Sequence, residues 1–300
     1  MYVNINRYLA SPRLTIGLVG GQGIASGFRD ASSLAWRLAL LCRPETNRSH
    51  EEVFASWYME RKQQLGKSLA TTIENGRFVT ESNPIKIFLR TCYLFILHLV
   101  PSWRRQLRLG RRKEGMVRYH HAPGLPFMPE YNGGLCLSQV YCKAMFSLPE
   151  GLGEVFFTDD VIFGAHKTGL FQLLVYIGDL SQLTPARETV SGIEDVSRGE
   201  ITAADVTFLV EDMADIDDDT GVTEQDMTSV FRLATAQELA SSALCHERPE
   251  PQYYDLYYLG KALDGNKFVI VRPDRFIFAA CNSRQDLVRA LVEMVAYLQG

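Results

Sequence analysis

The chain has 300 residues, of which 46% are hydrophobic and 22% are charged, and its formal net charge is −4. This is the composition of a globular protein long enough for two domains with cores of their own. The acidic balance gives no electrostatic reason to expect nucleic acid as a partner.

The six cysteines are scattered, with no C-x-x-C pair and no zinc-site spacing, and Met1 to Ala10 lacks the apolar core of a secretory signal. We therefore expect a cytoplasmic protein with reduced thiols and no metal site.

A glycine-rich segment near the start of the chain organises the sequence. A short apolar run typical of a buried strand, Leu14 to Val19, leads into Gly20-Gly21-Gln22-Gly23. Glycines permit a tight turn and let backbone N–H groups approach a ligand closely. From about Ala25 the pattern is helical, with an expected buried stripe of Leu34, Ala35, Leu38 and Leu41. The N-terminus of such a helix presents free N–H groups and a partial positive charge.

This segment resembles the second flavin-contacting motif of the FAD-dependent aromatic hydroxylases, the monooxygenases similar to phenol hydroxylase and p-hydroxybenzoate hydroxylase. The residues that carry the resemblance are Gly21-Gln22-Gly23, Gly27, Asp30-Ala31 and Leu34 to Leu38. It implies that the helix N-terminus faces the pyrimidine edge of the flavin ring and favours negative charge on reduced flavin. It also implies which residues place backbone groups against the ring: Gly21, Gln22, Gly23, Ile24 and Ala25.

The sequence departs from the family pattern before this motif. Family members carry Gly-Asp-Ala-Ala-His and a proline pair ahead of Gly-Gln-Gly, whereas here Gly17-Leu18-Val19 runs directly into Gly20. The family's opening βαβ unit with G-x-G-x-x-G, which holds the ADP half of FAD, is also missing from the sequence. We therefore expect the C-terminal portion of such an enzyme, and no catalytic acid or base can be named.

A capping box at Ser49 to Glu52 predicts the start of a second, long helix. Its expected apolar stripe is Phe54, Tyr58, Leu65, Leu69 and Ile73. Within it, Ser56 to Arg61 resembles the family's Tyr-Glu-x-Glu-Arg segment, and we expect Glu60 and Arg61 to form a structural ion pair.

The most apolar stretch, Ile87 to Val100, is followed by a cluster of basic residues. Its uncharged part covers only about ten residues, whereas a membrane-spanning helix needs about twenty. The pattern favours a buried or partly exposed helix in which His98 is a core residue, and surface membrane association is the less favoured alternative.

The sequence evidence for a metal site is weak at two segments that resemble one. His120 and His121 are adjacent and would face apart on a strand, which does not suit shared metal ligation. The acidic repeat Asp215-x-Asp217-x-Asp219 imitates a calcium loop, but Thr220 stands where that loop needs glycine. A solvated acidic loop is the better interpretation.

The C-terminal half predicts an α/β domain. Gly133 to Gln139 resembles the family's Gly-Gly-x-x-x-Pro-Gln junction, so we expect a partial FAD-binding and substrate region at 1–135 and a second domain at 136–300. Strands are expected at Leu170–Ile177, Val206–Val210, Lys267–Val271 and Phe276–Ala280. Ser283 is expected to cap a last helix with a buried face of Leu287, Leu291, Met294 and Leu298.

The segment Val271 to Asp274 before the final strand and helix resembles the thioredoxin-like tail of the phenol-hydroxylase branch. The expected fold class is therefore α/β (α+β), a partial FAD-binding domain with helices followed by a thioredoxin-like C-terminal domain. Without C-x-x-C, that domain is expected to serve as scaffold or dimer contact.

Two functions remain open. The resemblance implies an FAD-dependent monooxygenase that uses NAD(P)H and O₂ to hydroxylate a small phenolic substrate, with homodimerisation as one form of association. The alternative is a non-catalytic remnant whose thioredoxin-like domain mediates association.

Overall fold

The computed structural model describes residues 22–101, 103, 118–145, 155–212, 229–245 and 254–300. The chain divides into two compact units, one drawn from residues up to 35 and from 49–120, the other from 36–48 and 121–300. The predicted strand at Leu14–Val19 and the acidic repeat at Asp215 lie outside the described residues. The domain boundary after residue 135 stays a prediction.

In the described residues, the helices ahead of the sheet are α1 Gln22–Leu41, α2 His50–Val79 and α3 Pro84–Leu99. The caps predicted from sequence explain where α2 begins, because Ser49 Oγ accepts a hydrogen bond from the N–H of Glu52 at 3.2 Å. Asn83 caps α3 in the same way, accepting from the N–H of Ile85 at 2.9 Å, and proline occupies the first position of that helix.

The predicted buried stripe of α1 is wrong. Leu38 is 43% exposed and Ala35 is also exposed, whereas the buried residues are Ser33, Trp36, Arg37 and Leu40. These four follow the i, i+3, i+4, i+7 spacing of one helix face. The prediction missed this face because two of its members are polar.

The stripe predicted for α2 is wrong at two of its five positions, while Leu65 and Leu69 are partly buried. Phe54 is buried, but Tyr58 is 41% exposed and Ile73 is 46% exposed. The buried face instead consists of Val53, Phe54, Ser56, Trp57 and Glu60, at the N-terminal end of the helix.

Helix α3 has no buried residue, and His98 is exposed, with Nδ1 lying 2.8 Å from the carbonyl oxygen of Leu94. The prediction of a core histidine is therefore wrong. Within the described ranges, no helix combines the length and the apolar character needed to cross a membrane.

The second unit is built on a seven-stranded mixed sheet with the spatial order β2-β1-β5-β4-β3-β6-β7. In chain order its strands are β1 Tyr141–Ala144, β2 Val155–Phe157, β3 Gln172–Ile177, β4 Val206–Val210, β5 Val230–Leu233, β6 Phe268–Val271 and β7 Ile277–Cys281. The helices are α4 Thr158–Ile162, α5 Leu183–Val190, α6 Ile193–Val196, α7 Ala236–Ala240, α8 Tyr258–Leu263 and α9 Arg284–Gln299. Single 3₁₀ turns lie at Pro129–Tyr131, Leu180–Gln182, Ala203–Asp205 and Ala243–Cys245.

The thioredoxin-like core predicted from sequence is present. Strands β3 and β4 are parallel and connected through α5 and α6, β6 lies antiparallel to β3, and β7 lies antiparallel to β6 before α9 closes the chain. The fully buried strands β3 and β4 are predominantly apolar because both faces of the sheet are covered. The mixed α/β fold class is confirmed.

The last helix forms as the sequence predicted. Ser283 Oγ accepts from the N–H of Asp286 at 3.1 Å. The four predicted core residues, Leu287, Leu291, Met294 and Leu298, are all at most 2% exposed. An unbroken apolar face with a good N-cap leaves little choice of helix position or orientation.

The outer edge of β7 is covered by the glycine junction. Leu135 accepts from the N–H of Ile277 at 2.8 Å, and the N–H of Gly134 donates to Ile277 at 2.8 Å. A Cβ atom on Gly133 would lie 2.5 Å from the carbonyl oxygen of Phe278. Glycine is therefore required there by close backbone approach, and the covered edge is not open to another strand.

Candidate functional site

The candidate flavin segment coincides with the beginning of α1. Gly21 lies outside the described residues, while Gln22, Gly23, Ile24 and Ala25 form the first turn of the helix. No acidic residue occupies that turn, so no carboxylate of the helix itself offsets the positive end of its dipole. An electron-rich group could be bound there, and the assignment of these five residues to a cofactor stays a prediction.

Asp30, eight residues into α1, forms an ion pair with Arg61 of α2. The Arg61 guanidinium also lies 5.4 Å from the ring centroid of Trp57. The pair joins two segments that the sequence singled out separately, the glycine-rich motif and the Glu60-Arg61 segment. The sequence predicted that Arg61 pairs with Glu60. This is wrong, because the carboxylate that pairs with Arg61 is that of Asp30.

Burial is the largest influence on the pKa of the Asp30 carboxyl. Burial raises the pKa of this carboxyl above its usual value, against the opposing charges of Arg61 and Arg29. Asp30 and Arg61 are 14% and 20% exposed at their side chains, so the pair is shielded from most solvent. The shielding of this ion pair suits a structural link between the two helices.

Trp36 lies at the centre of a second polar cluster, in the larger unit. Its indole Nε1 donates to Asp274 Oδ2 at 2.9 Å, and the ring packs edge-on against Phe171 at a centroid distance of 5.9 Å. Arg272 holds the same carboxylate from the other side, with Nε–Oδ1 2.9 Å and Nη2–Oδ2 2.6 Å. The Val271-to-Asp274 segment is thereby tied to the second half of α1.

This cluster holds one carboxylate among two buried guanidinium groups. Burial opposes ionisation of Asp274, but the charges of Arg272 and Arg37 and the hydrogen bonds from Arg272 and Trp36 outweigh it and lower the pKa. Arg37 and Arg272 are both 0% exposed, and the Arg37 guanidinium lies 4.5 Å from the Trp36 ring centroid. A fully buried carboxylate with two buried arginines is a charged core whose members depend on one another.

Further contacts fix residues 36–48 onto the same unit. Arg43 Nη1 lies 2.6 Å from Glu200 Oε2, and the N–H of Asn47 donates to the carbonyl of Gln299 at 2.8 Å. The Arg48 guanidinium stacks on the Tyr297 ring at 4.2 Å. No local pattern predicts these contacts, since the partners are separated by more than 150 residues.

The place where thioredoxin-like redox proteins carry a C-x-x-C motif is polar here. The loop that follows β3 contains Asp179, which accepts from the N–H of Ser181 at 2.9 Å and from Gln182 Nε2 at 2.8 Å. Cys142 and Cys281 are buried, and burial raises the pKa of each thiol to about 12. Neither is a thiolate at neutral pH, so neither has nucleophilic or redox character.

The larger unit also contains an open cavity of about 390 Å³ between α5, α6 and the sheet. Its lining includes Arg187, Ile193, Val206 and Phe208, and the Arg187 guanidinium lies 5.8 Å from the Phe208 ring centroid. In the described part of the chain, no three His, Cys, Asp or Glu side chains are grouped so as to hold a metal ion.

No protein-family model matches the sequence. Two curated proteins match part of the sequence. One is a 3-(3-hydroxy-phenyl)propionate/3-hydroxycinnamic acid hydroxylase of Mycolicibacterium gilvum. It is 32% identical over 115 residues, which cover 36% of this chain and 20% of the relative. An enzyme of the same name from Mycobacterium avium is 29% identical over 101 residues, covering 34% of this chain and 17% of the relative. The chain is a partial relative of the aromatic hydroxylases. The resemblance predicted from sequence is confirmed to that extent, and the match spans about a fifth of the relatives' length.

Two solved structures are also similar to this chain. CabE, an aromatic hydroxylase from angucycline biosynthesis, aligns with 18% identity and a TM-score of 0.45 over 92% of this chain and 42% of CabE. BexE, studied for oxidation during BE-7585A biosynthesis, aligns with 17% identity and a TM-score of 0.44 over 91% of this chain and 40% of BexE. These scores are too low to establish a shared arrangement of the whole chain.

Proposed function

We propose that this chain is the C-terminal part of an FAD-dependent aromatic monooxygenase, in which α1 presents its N-terminus to the flavin ring. The observation that carries the proposal is the relationship to hydroxylases of phenolic acids, together with the Asp30–Arg61 pair that joins the two family-like motifs. The substrate class we infer is a small phenol, and NAD(P)H and O₂ are the co-substrates implied by the same resemblance.

The described residues fit only part of the cofactor. The first turn of α1 lacks acidic residues and would favour an electron-rich ring edge by about 1–2 kcal/mol. When bound, reduced flavin would supply the activation of oxygen. The contribution of this chain would be to orient the ring and stabilise its negative charge from Gly21, Gln22, Gly23, Ile24 and Ala25.

The rest of the cofactor has no corresponding site in this sequence. It contains no G-x-G-x-x-G segment for the pyrophosphate. Micromolar affinity requires about 8 kcal/mol, far more than one helix terminus supplies. We therefore expect the 300-residue chain by itself to be colourless and unable to oxidise NAD(P)H.

A chimera tests the proposal. The segment that precedes the matched region in the Mycolicibacterium gilvum hydroxylase would be fused ahead of this chain, and flavin content and phenol-stimulated NAD(P)H consumption would be measured. The expected result is a yellow chimera with phenol-dependent turnover. A chimera carrying Gly23→Val is the matched control, and it should fold while losing flavin.

Two outcomes would count against the proposal. Stoichiometric FAD on the unmodified chain would show that the cofactor site lies in residues assigned to structure. The second outcome is a folded chimera that binds FAD through the added segment and still shows no phenol-dependent turnover. That result would favour the second candidate function, a non-catalytic association module. This second candidate is supported by the complete thioredoxin-like strand arrangement of the larger unit.

A further inference from the structure

Helix α3 presents an apolar face to solvent. The exposed apolar face is defined by seven residues that are 52–69% exposed: Ile85, Phe88, Leu89, Tyr93, Phe95, Ile96 and Leu99. At 100° per residue these side chains occupy one arc of about 160°, and no charged residue lies inside it. The other face of α3, with Ile87, Leu94 and Leu97, is partly buried.

This surface is larger than single exposed side chains would produce. With about 150–250 Å² on each aromatic ring and somewhat less on each aliphatic side chain, the face leaves roughly 700 Å² of apolar area open. The largest apolar patch on a typical monomer is about 300–600 Å² and is often a binding surface. The exposed apolar face therefore calls for an occupant.

The surrounding charge has one sign. From Ser82 to Lys113 the sequence contains eight Lys or Arg residues and no Asp or Glu, in a chain whose net charge is −4. Two of them, Lys86 and Arg90, are in α3 itself, outside the apolar arc, and the side chain of Lys86 is 67% exposed although it pairs with Glu81 at 3.3 Å. An apolar helix face that is followed in sequence by a strongly basic segment is the pattern of a helix that lies in the surface of an anionic bilayer.

The same charge argues against a second copy of this chain as the occupant. Pairing two exposed apolar faces would bring two strongly basic segments together, and like charges at short range repel. We propose that α3 binds the surface of a membrane containing anionic lipids, with its exposed apolar face in the headgroup region. The sequence alone favoured a packed helix, and the exposure of the outer face reverses that preference. The inference does not depend on the flavin proposal.

Trp103 provides a direct test. It lies four residues beyond α3 and is 45% exposed, whereas Trp36 and Trp57 are 3% and 4% exposed. Vesicles of phosphatidylcholine with about 30% phosphatidylserine, brominated on their acyl chains, should quench the Trp103 share of the fluorescence of the full chain. Trp103→Phe should abolish the quenching, and pure phosphatidylcholine vesicles should give little.

A paired variant tests the apolar face itself. Phe88→Ser with Phe95→Ser removes two rings that are 66% and 65% exposed, and the partition onto anionic vesicles in a flotation assay should fall about tenfold or more. Val292→Ser changes an apolar residue of α9 that is 52% exposed, and this control should bind like the parent. Circular dichroism and gel filtration would verify that each variant is folded. Binding should also weaken as salt rises from about 0.05 to 0.5 M.

Several results would overturn the proposal. A folded parent chain that ignores anionic vesicles, or a paired variant that binds as well as the parent, would do so. A concentration-dependent dimer that the paired variant abolishes, without lipid binding, would assign the face to a second copy. Loss of lipid quenching in the hydroxylase chimera described above would assign the face to the preceding segment of a longer chain.

Discussion

The indole N–H of Trp36 donates to Asp274 at 2.9 Å across 238 residues of sequence. This bond, with the two hydrogen bonds from Arg272, makes one buried carboxylate the meeting point of α1 and the β6–β7 turn. The second half of the helix that begins at the glycine-rich motif is thus part of the core of the thioredoxin-like unit. Stability of that unit and placement of the helix are coupled through a single acidic residue.

Removing either partner of this bond should destabilise the protein by different amounts. Trp36→Phe leaves the ring but takes one donor from a buried carboxylate, which costs about 1–3 kcal/mol in the free energy of unfolding. Asp274→Asn leaves two buried arginines without their anion and should cost about 3–5 kcal/mol. Urea unfolding followed by circular dichroism measures both. Trp103→Phe, at an exposed tryptophan, is the control and should stay within about 0.5 kcal/mol. Equal costs for the three variants would contradict the assigned role of Trp36.

Leu40 and Leu38 test which face of α1 is buried. Leu40 is 0% exposed, so Leu40→Ala should cost about 2–5 kcal/mol through lost burial and a residual cavity. Leu38 is 43% exposed, so Leu38→Asp, which the sequence stripe predicted to unfold the protein, should be tolerated within about 1 kcal/mol. The two variants would be compared by urea unfolding at one pH. If Leu38→Asp destabilised the protein as much as Leu40→Ala, the observed face would be wrong.

Glu238 should make part of the free energy of unfolding depend on pH. Its hydrogen bonds from Arg232, supported by capping contacts with Thr235 and opposed by burial, lower its pKa from 4.5 to about 2. Because the folded-state pKa is depressed, the contribution is complete above the unfolded-state value and is lost as the pH falls from 4.5 toward 2. The Glu238 side chain is 27% exposed and still in contact with solvent, so screening leaves about 1 kcal/mol. Glu238→Gln should narrow the difference in unfolding free energy between pH 6 and pH 3 by about that amount. An unchanged difference would exclude Glu238 as a contributor.

The thioredoxin-like unit should lack dithiol reductase activity. The loop after β3 carries Asp179 and Gln182 where a C-x-x-C pair would lie, and the buried Cys142 and Cys281 thiols remain protonated. The intact chain should reduce insulin disulfides no faster than buffer with dithiothreitol. The Asp179→Cys, Gln182→Cys variant restores the spacing at a helix N-terminus and should reduce insulin above that background. Activity in the parent chain would contradict this account. The intact chain is the right material, because a fragment beginning at Gly153 would lose β1 and the Trp36 bond.

The sequence by itself determined the features that depend on local pattern. Apolar runs located β3, β4, β6 and β7, and the caps at Ser49 and Ser283 marked where α2 and α9 begin. Short-range rules suffice there, because a strand buried on both faces must be mostly apolar and a helix must satisfy its first N–H groups nearby. The glycine motif likewise indicated the resemblance to aromatic hydroxylases, and two curated enzymes of that kind match part of this chain.

Only the tertiary structure decided which faces are buried and which charges pair. Arg37, Glu60 and Arg272 are buried charges, and patterns of apolar spacing do not detect them. Asp30 selects Arg61, and Asp274 selects Trp36, across separations that no local rule connects. Conversely, the apolar face of α3 looked like core but lies open to solvent. Periodicity fixes where a helix forms, whereas its buried side depends on the partners that the rest of the chain brings to it.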